Sequence, residues 1–214
     1  MGQSSLMAGM RMGMRGRVSS RGKLIAAASA RFRVGGYKAT SVPEIVAAAG
    51  VPDAAFDLHF QTKERLAVEV LNAYWASLGL ETLLDRTRAP AARLRNHFRS
   101  VAIMHRARGV EQGCVMGVLL QEADDDTPLM RKNLTDGVAR WTNLVADAIR
   151  DGQAEGGVDV GLDAPAAARF LVSAWGGVAQ RMKLTRDDTA MNDFFSLAIP
   201  RVLGLSPAAQ SEAP

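Results

Sequence analysis

The stretch Thr40–Lys63 constrains this chain most, because it reads as a short helix, a tight turn and a second short helix. Thr40 and Ser41 carry hydroxyls able to cap a helix start, and Pro43 suits its first turn, where a missing N–H has no partner to lose. Ile45, Val46 and Ala49 give that helix an apolar face. Gly50 ends it, since glycine takes positive φ at a helix C-terminus without steric cost. Val51-Pro52 opens the second helix, Ala54, Ala55 and Phe56 fill its first turn, and it stops near His59-Phe60. Thr62 then caps a third helix beginning Lys63-Glu64-Arg65-Leu66. In a unit of this spacing the second helix is the one whose dimensions fit the major groove of DNA.

Charge points the same way. Residues 1–65 carry ten Lys or Arg against four Asp or Glu, whereas residues 66–214 carry sixteen against eighteen. A basic N-terminal third beside a slightly acidic remainder fits a DNA-binding head on a regulatory body, although chance also produces such asymmetry. With 214 residues, 48% hydrophobic and 22% charged, the chain has the composition of a soluble protein and enough length for a core. No apolar run of about 18 residues suggests a membrane span.

Several chemistries are excluded. One cysteine, Cys114, rules out an internal disulfide and fits a reducing cytoplasm. With His59, His97 and His105 as the only histidines, a structural zinc site is not expected. No phosphate-cradling glycine motif, paired carboxylates or metal-ligand set is present, so neither catalysis nor a cofactor is predicted. Asp124-Asp125-Asp126 reads as a solvated loop before a Thr127 cap.

Taken in order, residues 1–20 contain five methionines, several glycines and Arg11, Arg15 and Arg17, which reads as a disordered basic arm able to follow phosphates or a minor groove. An over-extended start, with the true one at Met7, Met10, Met12 or Met14, is the other reading. Arg21–Val34 is a helix with Leu24, Ile25, Ala28 and Phe32 on one stripe. Leu66, Val70, Tyr74 and Leu78 mark a long helix running toward Leu84, and Asp85 to Arg88 form a polar turn. Pro90 starts another, with Leu94, Phe98, Val101 and Met104 or His105 on one face. Thr127-Pro128 caps a helix extending to Gly152, Asp163-Ala164-Pro165 opens one through Phe170, Ala174 and Val178 to Met182, and a last runs from about Asp188 to Leu203. No period-2 strand is convincing, so the class is all-α.

Residues 21–66 resemble the DNA-binding domain of the TetR family of bacterial repressors. The matching blocks are Gly36-Tyr37-Lys38-Ala39-Thr40-Ser41-Val42, Ile45 with Ala48-Ala49-Gly50-Val51, His59-Phe60, and Thr62-Lys63-Glu64 with Leu66. The resemblance implies an N-terminal three-helix head, here 21–65, and a larger helical effector-binding and dimerisation body, here 66–206, with 207–214 a disordered tail. It also implies double-stranded DNA with a pseudo-palindromic operator as partner, and a homodimer formed through the last two helices. The family usually has Ser or Thr at Pro52, often Lys or Arg at Asp53, commonly Gly at Ala54 and Tyr at Asp57. The DNA-contact candidates are Arg21, Thr40, Ser41, Val51, Pro52, Asp53, Ala54, Phe56, Asp57, His59 and Lys63. Asp53 and Asp57 cannot neutralise phosphate, so they either accept from cytosine amino groups or weaken binding.

In the body, Gly113-Cys114-Val115-Met116-Gly117 puts a cysteine between a glycine turn and a helix start, where unpaired N–H groups favour thiolate. With Trp141 and Arg181-Met182-Lys183-Leu184, this segment is similar to a TetR subgroup that represses N-ethylmaleimide-reductase or acrylate-utilisation genes. That similarity implies thiol sensing of electrophiles or oxidants by Cys114 with Lys183 as its partner. A structural, buried Cys114 and a pocket-lining Cys114 remain open. A second route to regulation is an apolar effector pocket lined by Trp75, Met104, Met116, Trp141, Trp175 and Met182, with Gln121, Glu122 or Arg106 orienting the ligand; each of these also suits plain core. The overall expectation is a homodimeric regulator, in repressor form, released from DNA by a small ligand, electrophile or oxidant. The alternative is a helical ligand-binding or protein-interaction module with weakened DNA binding.

Overall fold

The computed structural model describes residues 19–205, so the expected tail and all but the last two residues of the expected arm lie outside the described residues. Ser19 and Ser20 are not arm: the Ser19 hydroxyl accepts from the Gly22 N–H at 3.2 Å, capping α1 (Ser20–Gly35). Leu24, Ala28 and Phe32, at i, i+4 and i+8, are its buried stripe.

α2 (Val42–Ala49) starts at a capping box in which Ser41 and Glu44 satisfy each other's backbone N–H, and it ends at Gly50 with φ of 59°. α3 (Ala54–His59) follows. α4 (Lys63–Ser77) is capped by Thr62 and buries Leu66, Val70, Leu71 and Tyr74. It does not run on to Leu84. Gly79, at φ 62°, breaks it, and Leu80–Leu84 form a 3-10 turn that buries Leu80 and Leu83.

The body continues with α5 (Pro90–Ala107), a short 3-10 turn at Val110–Gln112, α6 (Val115–Glu122), α7 (Pro128–Ala154) and α8 (Ala164–Thr185). The chain then runs through α9 (Thr189–Asp193), a π-helical turn at Phe194–Ala198 and α10 (Ile199–Leu203). Among the described residues the structure is all-helical, and no helix is long and apolar enough to cross a membrane.

The body core is aromatic at its centre. Phe98 stacks within 5.0–6.1 Å of Phe194, Trp175 and Trp141, drawing α5, α7, α8 and the π turn together. Trp141 donates its indole N–H to His97 Nε2 at 2.7 Å, both residues being essentially buried. Arg93, 2% exposed, donates to the Leu83 carbonyl at 3.1 Å and to Asp151 at 2.7 Å, tying the 3-10 turn to α7. On α8 the buried face runs through Ala168, Leu171, Trp175, Val178 and Met182, and Phe170 lies 55% exposed.

Candidate functional site

The head is held by short-range chemistry around the α1–α2 loop. Gly36 (φ 82°) lets the chain turn out of α1, and the buried Thr40 hydroxyl donates back to its carbonyl at 2.6 Å. Lys63 completes the loop. Its ammonium donates to the Tyr37 and Thr40 carbonyls at 2.9 and 3.0 Å and sits 4.3 Å from the Tyr37 ring centroid, and burial pulls its pKa below the usual lysine value.

Three of the expected DNA contacts have their side chains engaged within the head. Thr40 and Lys63 use their polar groups on backbone carbonyls, and Phe56, 6% exposed, packs inward beside Phe60. Arg21 is partly spent as well, in an ion pair with Glu69 at 2.6 Å and over the Phe60 ring. Val51 is half-buried against the core, and the Ser41 hydroxyl serves the α2 cap. What α3 and its approach leave exposed is Pro52, Asp53, Ala54, Asp57 and His59, together with Leu58 at 78%. Leu58 was not foreseen, although two residues from Phe56 at 100° per residue places it on the opposite side of the helix.

The second site is a cavity of about 750 Å³ between α5, α6 and α8. Cys114, Met116, Gln121, Trp175 and Lys183 line it, joined by Tyr74 and His105, which the sequence reading did not assign to a site. Cys114 stands at the N-cap of α6, half-buried, with Sγ 3.4 Å from the Tyr74 hydroxyl. The stem of Lys183 crosses Gly113, where a β-carbon would lie 2.9 Å from Cδ and 3.4 Å from Nζ. Burial and the neighbouring thiol push the Tyr74 phenol well above its usual range. His105 is depressed to about 4, first by burial and then by Arg108 and Arg33. Two wall atoms, His105 Nε2 and Trp175 Nε1, are buried without a hydrogen-bond partner.

The other expected pocket residues sit elsewhere. Trp141 is core, committed to His97, and Met182 is buried behind the wall. Trp75 faces a separate groove between α4 and α7, donating to Asn133 at 2.9 Å and covering Gly137 so closely that no β-carbon fits there. Met104 accepts from the Ser77 hydroxyl at 3.2 Å, and Arg106 pairs with Asp188. Glu122 points away from the cavity, into the head. Its carboxylate accepts from the Lys38 backbone N–H at 2.6 Å and occupies the space a side chain at Gly36 would need. Asp124 adds an ion pair to the Lys38 ammonium at 2.6 Å, which raises the lysine pKa and lowers that of the aspartate. On α4, Glu64 accepts from the N–H groups of Leu129 and Met130 at the start of α7.

Known proteins match both the N-terminal and the C-terminal part of the chain. Residues 24–70 match the family described as bacterial regulatory proteins, tetR family, and residues 64–197 match the tetracyclin repressor-like C-terminal domain. The chain is similar to the HTH-type transcriptional repressor DhaR of Mycobacterium sp. (strain GP1), 30% identical over 78% of this chain and 84% of that protein. It is also similar to the transcriptional regulator AcuR of Cereibacter sphaeroides, 30% identical over 74% of each. Among solved structures, a regulatory protein TetR from Rhodobacter sphaeroides superposes with a TM-score of 0.75 at 30% identity, covering 84% of this chain and 97% of that one. The reduced form of E. coli NemR shares the fold, with a TM-score of 0.73 at 21% identity over 87% of this chain and 96% of that one.

Proposed function

The chain belongs to the tetR family of bacterial regulatory proteins and is a DNA-binding transcriptional regulator, and from that premise we propose that it acts as a homodimeric repressor whose grip on DNA is set by the cavity beside Cys114. The head spans α1 to α3, α4 serves both units, and the body follows. α8 and the helical run from Thr189 to Leu203, the two helices expected last in the sequence, form the dimer contact, a reading supported by Phe170 and Leu184 on α8 and Leu197 in the π turn, large apolar side chains that a single copy leaves 53–82% exposed.

One observation carries the regulatory reading: α6 touches both sites. Its N-cap residue, Cys114, lies in the cavity wall, and its last residue, Glu122, holds the α1–α2 loop. Eight residues of helix move as a rigid rod, so a ligand or adduct displacing the Cys114 end shifts Glu122 and the loop that positions α2 and α3. In this reading Cys114 senses electrophiles or oxidants and Lys183, whose stem crosses the adjoining Gly113, is its partner.

The direct test is electrophoretic retardation of DNA upstream of the protein's own gene, using reduced protein and protein treated with stoichiometric hypochlorite or N-ethylmaleimide. Binding is expected for the reduced form and lost on treatment, whereas Cys114→Ser keeps binding under both conditions. A serine variant that still releases DNA on treatment removes thiol sensing and leaves reversible ligand binding in the cavity as the route.

The coupling itself is tested with Glu122→Ala. Allosteric coupling is worth about 1–3 kcal/mol, or 5- to 150-fold in affinity. The variant should retain DNA binding yet lose most of the ratio between treated and untreated protein. An unchanged ratio would place the coupling elsewhere.

A second reading, a helical module with weakened DNA binding, draws on the absence of any Lys or Arg from α3. DNA affinity falling steeply with salt supports the repressor, and no retardation even at low salt supports the module.

A further inference from the structure

We propose that α3 reads base edges with acceptors and a methyl-seeking apolar side chain, so that Asp53 and Asp57 select cytosine amino groups and Leu58 selects thymine methyls. The inference rests on the DNA-binding reading above and specifies what the head recognises.

Helical geometry supplies the face. Ala55 and Phe56 are buried, which turns Asp53 and Asp57, four residues apart, outward together with Ala54 and Leu58, also four apart. Among the described residues neither carboxylate has a side-chain hydrogen bond or ion pair, so their acceptor capacity is unspent there. Leu58 is 78% exposed, among the described residues, on the same side. Against the phosphate backbone this face has no favourable partner, because carboxylates are repelled there and a leucine gains nothing. The major groove does supply partners. Cytosine presents its N4 amino group as a donor, and thymine presents a 5-methyl group. Guanine presents acceptors at O6 and N7, which oppose a carboxylate. The same two charges raise the cost of every non-cognate site, so base selectivity is gained where general affinity is given up.

The experiment uses the full chain to select sites from a random duplex library at low salt, followed by affinity measurements on the enriched site. The enriched half-site should carry cytosine and thymine at positions facing α3. Asp57→Asn, and separately Asp53→Asn, should bind random duplex severalfold more tightly while losing between about five- and a hundredfold of discrimination at one cytosine position. Replacing a single thymine with deoxyuridine, which removes only the methyl group, should weaken wild-type binding about fourfold and leave Leu58→Ala indifferent. All three positions are exposed, so folding is not at stake. Carboxamide variants that keep the wild-type base ranking, or a Leu58→Ala variant as sensitive to deoxyuridine as the wild type, would overturn this assignment while leaving DNA binding intact. Failure of the wild type to enrich any duplex at low salt would overturn the DNA-binding reading and this assignment together.

Discussion

Replacing Trp141 with alanine is expected to lower the free energy of unfolding by about 4–5 kcal/mol, the upper part of the range for deleting a buried aromatic side chain. The indole is 1% exposed, stacks on Phe98 and His97, and donates its N–H to His97 Nε2. Alanine removes the packing and orphans a buried ring nitrogen, and the second loss adds to the first. Since domains of this size are stable by about 5–15 kcal/mol, the variant should lose between about a third of its margin and nearly all of it. A urea titration at fixed protein concentration measures this as a lower midpoint with unchanged slope. Trp141→Phe separates the terms. It retains most of the volume and loses the hydrogen bond, so it should cost about 1–3 kcal/mol. Equal losses for the two variants would mean that the cavity contributes nothing.

Mild acid should have a comparable effect. Burial holds both His97 and His105 at about 4, against 6.5 for a free side chain. Between those values the unfolded chain takes up protons that the native chain refuses, so stability falls as pH drops from about 6.5 and levels off near 4, once the native rings also protonate. At about 1.4 kcal/mol per pH unit the loss approaches 3 kcal/mol for each histidine. Asp85, Asp124, Asp187 and Glu44 carry pKa values lowered by hydrogen bonds, and their contribution begins to fall only near and below the free values of 3.8 and 4.5. Unfolding curves at pH 7 and about 5.5 therefore isolate the histidines. Equal stability at the two pH values would mean that both rings take up protons in the native state as readily as in the unfolded chain.

Much of the fold was legible in the sequence because its punctuation is local. Gly50, Pro128 and Asp163 act within one turn of where they stand, and the helix boundaries they mark fall within a residue or so of those expected. The end of α4 was misread because Leu78, Leu80, Leu83 and Leu84 continue an apolar pattern past Gly79; both the helix and the 3-10 turn bury leucines, and only the backbone at Gly79 separates them.

The sites were less legible. A hydroxyl or ammonium in a helix-turn-helix suits phosphate and backbone carbonyl equally, and residue type alone does not tell which one Thr40 and Lys63 face. Trp141 and Trp175 follow the same helical spacing, yet one is sealed in the core and the other forms a cavity wall, because that difference is decided by what packs across from them. The grip of Glu122 on Lys38 spans 84 residues and leaves no periodic trace at all.

The π-helical turn at Phe194–Ala198 sets the phase of everything after it. A π turn holds one residue more than an α turn, and so lets Phe194 and the adjacent Phe195 both reach Trp175 while the axis continues into α10. A chain one residue shorter in this turn would still be helical from Thr189 to Leu203, but its last segment would be rotated by about 100° about its own axis. Arg201 would trade places with buried neighbours, and, at the dimer contact proposed above, a different set of side chains would face a second copy. Insertions and deletions here thus act as a dial on pairing geometry, and two relatives with the same interior can differ in how far apart, and at what angle, they hold their reading heads.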